Sequence, residues 1–184
     1  MSETMPFTWI PTHSGIPFVF RAPTAAMIVA EDIAHALSNI CRFGGHCKRH
    51  YSVAEHSRLV AAMVSPVNKK QAMLHDATEA YLGDIVSPLK HIMMGDYARL
   101  EDKCREAICE RFDMDFDIPK EVKDADSHAL YLEAKYLSTR TLGDPNWWEY
   151  FKIPRLEAFE YRIPDHEPPR KLLKEAFLRE LAGE

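Results

Sequence analysis

His75 and Asp76 lie side by side in QAMLHDATEAYL, a stretch whose remaining pattern is that of a buried helix. Ala72, Leu74, Ala77, Ala80 and Leu82 surround the pair. Charged side chains are seldom fully buried unless they are paired or bind a metal. Any fold of this chain must therefore bring polar partners to His75 and Asp76 from other segments. Glu79 follows Asp76 by three residues and His75 by four, so all three fall within about one helical turn.

With 184 residues the chain is long enough for one substantial core, and it is read as a single domain over 1–184. Its 46% hydrophobic and 28% charged content is that of an ordinary soluble globular protein. The formal charge of -5 and pI near 6.0 argue against a nucleic-acid polymer as partner, while leaving room for a local basic pocket that takes one small phosphate compound. Cys41, Cys47, Cys104 and Cys109 show no C-x-x-C spacing, so reduced thiols are expected rather than a zinc ribbon or redox motif. The N-terminus MSETMPFTWIPTHSG has no basic region followed by a long apolar run, and no segment is apolar enough to span a bilayer. A cytoplasmic protein with no membrane partner is expected.

Residues 7–20 are the β segment: Phe7, Trp9 and Ile10 precede a turn at His13-Ser14-Gly15, and Ile16, Phe18, Val19 and Phe20 follow it. Pro11 and Pro17 keep such a hairpin at an edge. The remainder reads as helical. Ile33, Leu37 and Ile40 form one stripe over 30–41. Ser52 and Glu55 spell a capping box at the start of a helix that Ser65-Pro66 ends. Asn68 is expected to cap the helix carrying His75-Asp76, and Gly83 to stop it. Further helices are expected from Asp96 to about Phe112, from Pro119 to about Leu142, and from about Pro169 to Leu181. Between the last two, a Pro-rich stretch with Trp147, Trp148, Tyr150 and Phe151 reads as an ordered loop over the core. The fold class is all-α with a short N-terminal β-hairpin.

A metal held between helices needs ligands pointing inward from several of them. His56 shares a face with Val53, Val60 and Met63, and the short connection at Ser65-Pro66 makes its helix a neighbour of the one bearing His75-Asp76. Asp126 falls inside the stripe of Val122, Ala125, Ala129 and Leu130, where an unpartnered charge is costly. His35 and His46 rank below these two as ligands, with His46, after Gly44-Gly45, a candidate substrate contact. His56, His75, Asp76 and Asp126 form a nitrogen and oxygen set that suits a divalent Mn, Co, Fe, Zn or Mg ion without choosing among them. Four protein ligands leave an octahedral ion open positions for water and substrate.

The ordered pattern of His56 in SVAEHS, His75-Asp76 in MLHDATEAYLGD and Asp126 in VKDADS resembles the HD-domain metal-dependent phosphohydrolases. Over roughly 30–140 the chain looks most like the small bacterial 5'-deoxynucleotidases and the phage dATP triphosphohydrolases. The resemblance implies an HD-domain helical bundle and a (deoxy)nucleotide substrate. It gives Glu79 and Asp84 the part of the acidic pair that orients the attacking water and handles protons. It also implies substrate contacts for Arg42, next to Phe43 where the deoxynucleotidases carry tryptophan, and for Lys90 in SPLKH. An arginine fork suits phosphate. The activity so implied is a 5'-deoxynucleotidase releasing phosphate from deoxynucleoside monophosphates, with a dATP-type triphosphohydrolase as the alternative and a non-hydrolytic nucleotide sensor as the reading from another class. Small enzymes of this kind often assemble, so a homo-oligomer is compatible with it. No P-loop and no H-E-x-x-H is present, which disfavours a P-loop kinase and a metalloprotease.

Overall fold

A computed structural model describes residues 8–93, 95–138, 159 and 161–184. The expected Trp147-Trp148, Tyr150 and Phe151 lie outside these residues, while the helix expected to run to about Leu142 ends at Leu137, because Ser138 turns extended and bridges to Cys47. The described chain is mostly helical, with a two-stranded antiparallel hairpin at its start. Strands β1 (Trp9–Pro11) and β2 (Pro17–Val19) pair in the register Trp9↔Val19, Ile10↔Phe18 and Pro11↔Pro17. The two prolines face each other at the turn end, where the missing N–H groups cost least. Gly15 supplies the positive φ of the turn. The turn is tied to the bundle by Asp32, which accepts from Ser14 N at 2.6 Å and from Ser14 Oγ at 2.8 Å. Phe18 is buried and stacks on Tyr81 with ring centroids 4.2 Å apart, so the hairpin plugs into the core rather than standing off it.

Eight α-helices follow among the described residues: α1 (Ala30–Asn39), α2 (Val53–Ala61), α3 (Lys69–Leu74), α4 (Glu79–Leu82), α5 (Ser87–Ile92), α6 (Asp96–Phe112), α7 (Lys120–Leu137) and α8 (Arg170–Ala182). Helix α2 is the axis of the bundle, packing against α1, α3, α7 and α8. Seven of its nine residues are buried, including His56 and Ser57. Its start is set by the expected capping box: Ser52 Oγ accepts from Glu55 N at 3.2 Å, and Glu55 Oε2 accepts from Ser52 N at 3.0 Å. Helix α8 buries Leu173 and Phe177 against α1, α2 and α3, which joins the C-terminal segment to the same core as Ile33, Leu37, Val60, Met73 and Val122.

Three further local expectations are corrected. The segment from Asn68 to Gly83 is two short helices, not one, and His75, Asp76, Ala77 and Thr78 form turns between them. Here the backbone tightens to i→i−3 bonds, Ala77 N to Leu74 O and Glu79 N to Asp76 O, each 3.0 Å. His75 Nδ1 donates to Ala72 O at 2.7 Å, the carbonyl that would accept from Asp76 N–H in an uninterrupted α-helix. Asn68 does not cap with its side chain; its amide donates to Glu121, which also accepts from Ser65 N and Oγ. Ser87–Ile92 forms a short helix not foreseen from the sequence, with Pro88 in its first turn.

All four cysteines are free. Burial and the neighbouring Cys41 push the Cys47 thiol up to about 11, which keeps it protonated and unreactive. No described helix is long and apolar enough to cross a membrane.

Candidate metal centre

Three segments bring polar atoms to one point. α2 carries His56, the turns after α3 carry His75 and Asp76, and α7 carries Asp126. His56, His75 and Asp126 offer ligand atoms that all lie within 4.8 Å of one another, a group that could hold a metal ion. His56 Nε2 stands 3.2 Å from His75 Nε2 and 3.1 Å from Asp126 Oδ1. Asp76 Oδ2 is 3.4 Å from His56 Nε2 and 3.3 Å from His75 Nε2. Ligands about 2.1 Å from a first-row metal stand about 3.0–3.4 Å from each other at octahedral or tetrahedral angles, a range that these four separations match, while His75 Nε2 and Asp126 Oδ1 are wider apart at 3.8 Å.

The hydrogen bonds behind the rings support the same reading. Ala72 O can only accept, so His75 Nδ1 carries a proton and Nε2 is left to point its lone pair at the centre. His56 Nδ1 lies 2.7 Å from Glu133 Oε1, and the Glu133 carboxyl is held low, against its burial, by Arg42 and His56. It too is an acceptor, so Nε2 is the His56 nitrogen that could serve as a ligand. Two imidazole lone pairs and carboxylate oxygens converging at this range repel one another unless a cation or a proton stands among them. Burial and Arg42 push His56 down, but Glu133 and Asp126 outweigh them and lift it to about 10, so a proton on this ring can stand in for a cation. Asp76 is held well below the usual carboxylate range, against the cost of burial, by His75, His56 and Arg42.

Glu133 was not anticipated. It is fully buried and lies seven residues, or two turns, after Asp126 on α7, within the buried stripe of Val122, Ala125, Ala129 and Leu132. A glutamate in that stripe is the same signal that singled out Asp126, so it was there to be read. Its second oxygen accepts from Arg42 Nε at 3.3 Å and Nη2 at 3.1 Å. Arg42 Nη1 points to Asp76 Oδ2 at 3.5 Å. The guanidinium fork is therefore largely engaged by protein carboxylates, with one terminal nitrogen turned toward Asp76.

A cavity of about 490 Å³ opens on the centre, and Arg42, Phe43, Asp76, Glu79, Asp84 and Lys90 line it. Asp126 completes the wall on that side and is the most open member of the group, its side chain 44% exposed. Glu79 is buried, and its Oε2 has no hydrogen-bond partner among the described residues. Burial, then Asp76 and Asp84, push Glu79 up to about 9. Burial raises Asp84 as well. Lys90 Nζ donates to Glu101 at 2.9 Å and stands 3.9 Å from Glu79. Phe43 sits at the lip with φ +57, followed by Gly44 and Gly45 also at positive φ, and the Arg42 guanidinium lies 5.4 Å from its ring centre. A bulky side chain in that region is strained, a feature that clusters at ligand sites.

Two candidates fall outside. His46 is exposed and does not line this cavity. His35 stacks on His13 at 3.8 Å beside the hairpin, away from the ligand group. A second cavity of about 560 Å³, with Tyr51, Arg58, Tyr161 and Glu180 in its wall, contains none of the His–Asp group, and its Arg58 is already paired with Glu180 at 2.6 Å.

No family model matches the chain. It is 39% identical over 153 residues to the uncharacterized protein YfdR of Escherichia coli, an alignment that covers 83% of this chain and 84% of YfdR. It is 34% identical over 143 residues to an uncharacterized protein of Rhodobacter capsulatus, covering 71% of this chain and 73% of that protein. Identity at this level over most of both lengths places the chain in one family with them: it belongs to the family of YfdR.

Proposed function

We propose that this protein is an HD-type metal-dependent phosphohydrolase that releases phosphate from deoxynucleoside monophosphates, with His56, His75, Asp76 and Asp126 as the ligands of one divalent ion. The observation that carries the reading is the pair of imidazoles locked by their Nδ1 atoms, each turning Nε2 toward the same carboxylates. Such an ion supplies Lewis acidity toward a water and a phosphoryl oxygen.

The chain's own groups do the rest. Glu79 offers a buried oxygen with no partner among the described residues, placed beside the ligands to hold and orient a nucleophilic water; the charge of a bound divalent ion would draw its carboxyl down from about 9, so that it could take the water's proton. Asp84 lines the same wall and shares that work. Arg42 Nη1 and Lys90 are the donors left for phosphoryl oxygens. Phe43, Ile85, Val86, Leu130 and Ala134 give the cavity an apolar side suited to a nucleoside.

Charge favours the monophosphate. With Glu79 holding its proton, Asp76, Asp84, Asp126 and Glu133 surround two cations, Arg42 and Lys90, whose charges are largely met by protein carboxylates. One divalent ion offsets most of that excess and leaves room for a phosphate monoester of charge about −2. A triphosphate would add further negative charge with no free cation among the described lining residues to meet it. A sensor that holds nucleotide without cleaving it has no use for a buried acid with an unpartnered oxygen.

The test is turnover by purified protein supplied with Mn²⁺ or Co²⁺ and a panel of deoxynucleoside monophosphates, their ribose counterparts and deoxynucleoside triphosphates. Inorganic phosphate released from the deoxy monophosphates is expected. Inorganic triphosphate as the product assigns the triphosphohydrolase instead, and no turnover of any nucleotide by metal-loaded protein overturns the assignment.

A further inference from the structure

Glu133 joins two parts of the site that the sequence keeps far apart. Its Oε1 meets His56 Nδ1 at 2.7 Å, and its Oε2 meets Arg42 Nη2 at 3.1 Å and Nε at 3.3 Å. Both partners present N–H groups to it, so position 133 must offer two acceptors. Among side chains of this length, only a carboxylate does so, since glutamine has one oxygen and one NH₂. The carboxylate is fully buried, and so is His56. Neither can relax into water if the other is lost.

The consequence is mechanical. His56 can hold its Nε2 lone pair toward Asp76 and Asp126 only while Nδ1–H has an acceptor behind it. Arg42 can hold Nη1 toward Asp76 and the cavity only while its other two nitrogens are gripped. One side chain satisfies both conditions. Helix α7 places it there because residues 126 and 133 share a face, so the helix that brings a ligand to one ring nitrogen of His56 also brings the support for the other.

We infer that Glu133 is a positioning residue that sets the metal ligand His56 and the phosphate-facing Arg42 together, so that metal affinity and anion affinity depend on the same carboxylate. This rests on the proposed metal-dependent phosphohydrolase, and goes beyond it by assigning a shared support to two functions that neither the ligand pattern nor the cavity lining contains.

The test uses Glu133→Gln and the double variant Glu133→Gln with Arg42→Met, read by Mn²⁺ titration of metal-free protein followed by electron paramagnetic resonance, and by inorganic phosphate binding to the Mn²⁺-loaded protein. In the single variant, His56 and Arg42 compete for one amide oxygen, and Mn²⁺ affinity is expected to fall about tenfold or more. In the double variant the oxygen is free for His56 Nδ1, so Mn²⁺ affinity should return to near the wild-type value while phosphate binding stays weak. Recovery of metal binding by a second substitution is something a general loss of folding does not produce. A Glu133→Asp variant, which keeps both acceptors on a shorter stem, should lie between wild type and Glu133→Gln in both readouts. Wild-type Mn²⁺ and phosphate affinities in Glu133→Gln overturn the inference, as does a double variant no better at binding metal than the single one. Wild-type protein that binds Mn²⁺ and phosphate but turns over no nucleotide overturns the proposed activity alone, leaving the positioning role to these two binding readouts. Wild-type protein that binds no divalent ion overturns both.

Discussion

Asp126 and Glu133 hold the same imidazole from opposite sides. Asp126 Oδ1 is 3.1 Å from His56 Nε2, and Glu133 Oε1 is 2.7 Å from His56 Nδ1. Two carboxylates two turns apart on α7 thus fix the orientation of a fully buried ring on α2, and the α2–α7 contact becomes the structural basis of the centre. The predictions below start from this arrangement.

Asp126→Ala removes a proposed ligand from the open side of the group, while Glu133 still holds His56 from behind. Mn²⁺ affinity is expected to drop sharply, and turnover to fall at least about a hundredfold, since an ion's charge stabilisation is worth several kcal/mol and each 1.4 is tenfold. Chelation of the wild-type protein should abolish turnover and added Mn²⁺ should restore it. Full activity after exhaustive chelation, checked by elemental analysis, would contradict the metal reading.

Glu79→Gln keeps the shape of the side chain and removes its ability to take a proton. A loss of roughly 10²–10⁴-fold in kcat is expected for a positioned acid–base group, with Mn²⁺ affinity unchanged because Glu79 is not among the ligands. A variant in which only KM rises would assign Glu79 to substrate binding instead.

The metal-free protein should lose stability as pH rises. Glu79 is lifted from 4.5 to about 9 by burial and by Asp76 and Asp84. His56 is lifted from 6.5 to about 10 because Glu133 and Asp126 outweigh its burial and Arg42. Each keeps in the native state a proton that the unfolded chain releases, so unfolding sheds protons through this window and the slope of stability with pH is negative. The contribution is complete below the unfolded values and is lost as pH climbs through the folded ones. Thermal melts of chelated protein from pH 5 to 9 should show a falling Tm, flattened by Glu79→Gln and by Mn²⁺. A Tm that rises across that range would refute the assignment.

Ser52→Ala deletes half of the capping box at the start of α2. A loss of about 1 kcal/mol is expected, which for a chain of this size lowers Tm by roughly 2–4 °C. Chemical denaturation with an unchanged m-value would measure it.

Phe177→Ala tests whether α8 belongs to the same cooperative unit as the metal centre. The ring is fully buried where α8 meets α1, α2 and α3, so the cost should be about 3–5 kcal/mol, with a single unfolding transition. Two separated transitions would show that 170–182 folds apart from the bundle.

Much of this protein is written locally. Helix α6 runs from Asp96 to Phe112 as its periodicity says, α2 begins at its capping box, and the hairpin pairs around His13-Ser14-Gly15, because each rests on contacts between residues close in sequence. His56, His75 and Asp126 were legible for a related reason: a polar residue on an apolar face needs a partner, and three such residues on three segments have few ways to satisfy one another. What the sequence could not decide depends on distance in the chain. The break after Leu74 arises because His75 takes the Ala72 carbonyl and the backbone tightens around a convergence of side chains from elsewhere, whereas propensity alone continues the helix. Asn68 looks like a cap until Glu121, fifty-three residues later, claims its amide. Arg42 looks like a free phosphate fork until Glu133 occupies most of it across ninety-one residues. Sequence pattern determines which side chains must be buried and which of them need partners; only the packing of α2 against α7 decides which partners they find, because a buried hydrogen bond or ion pair is a property of two distant segments at once.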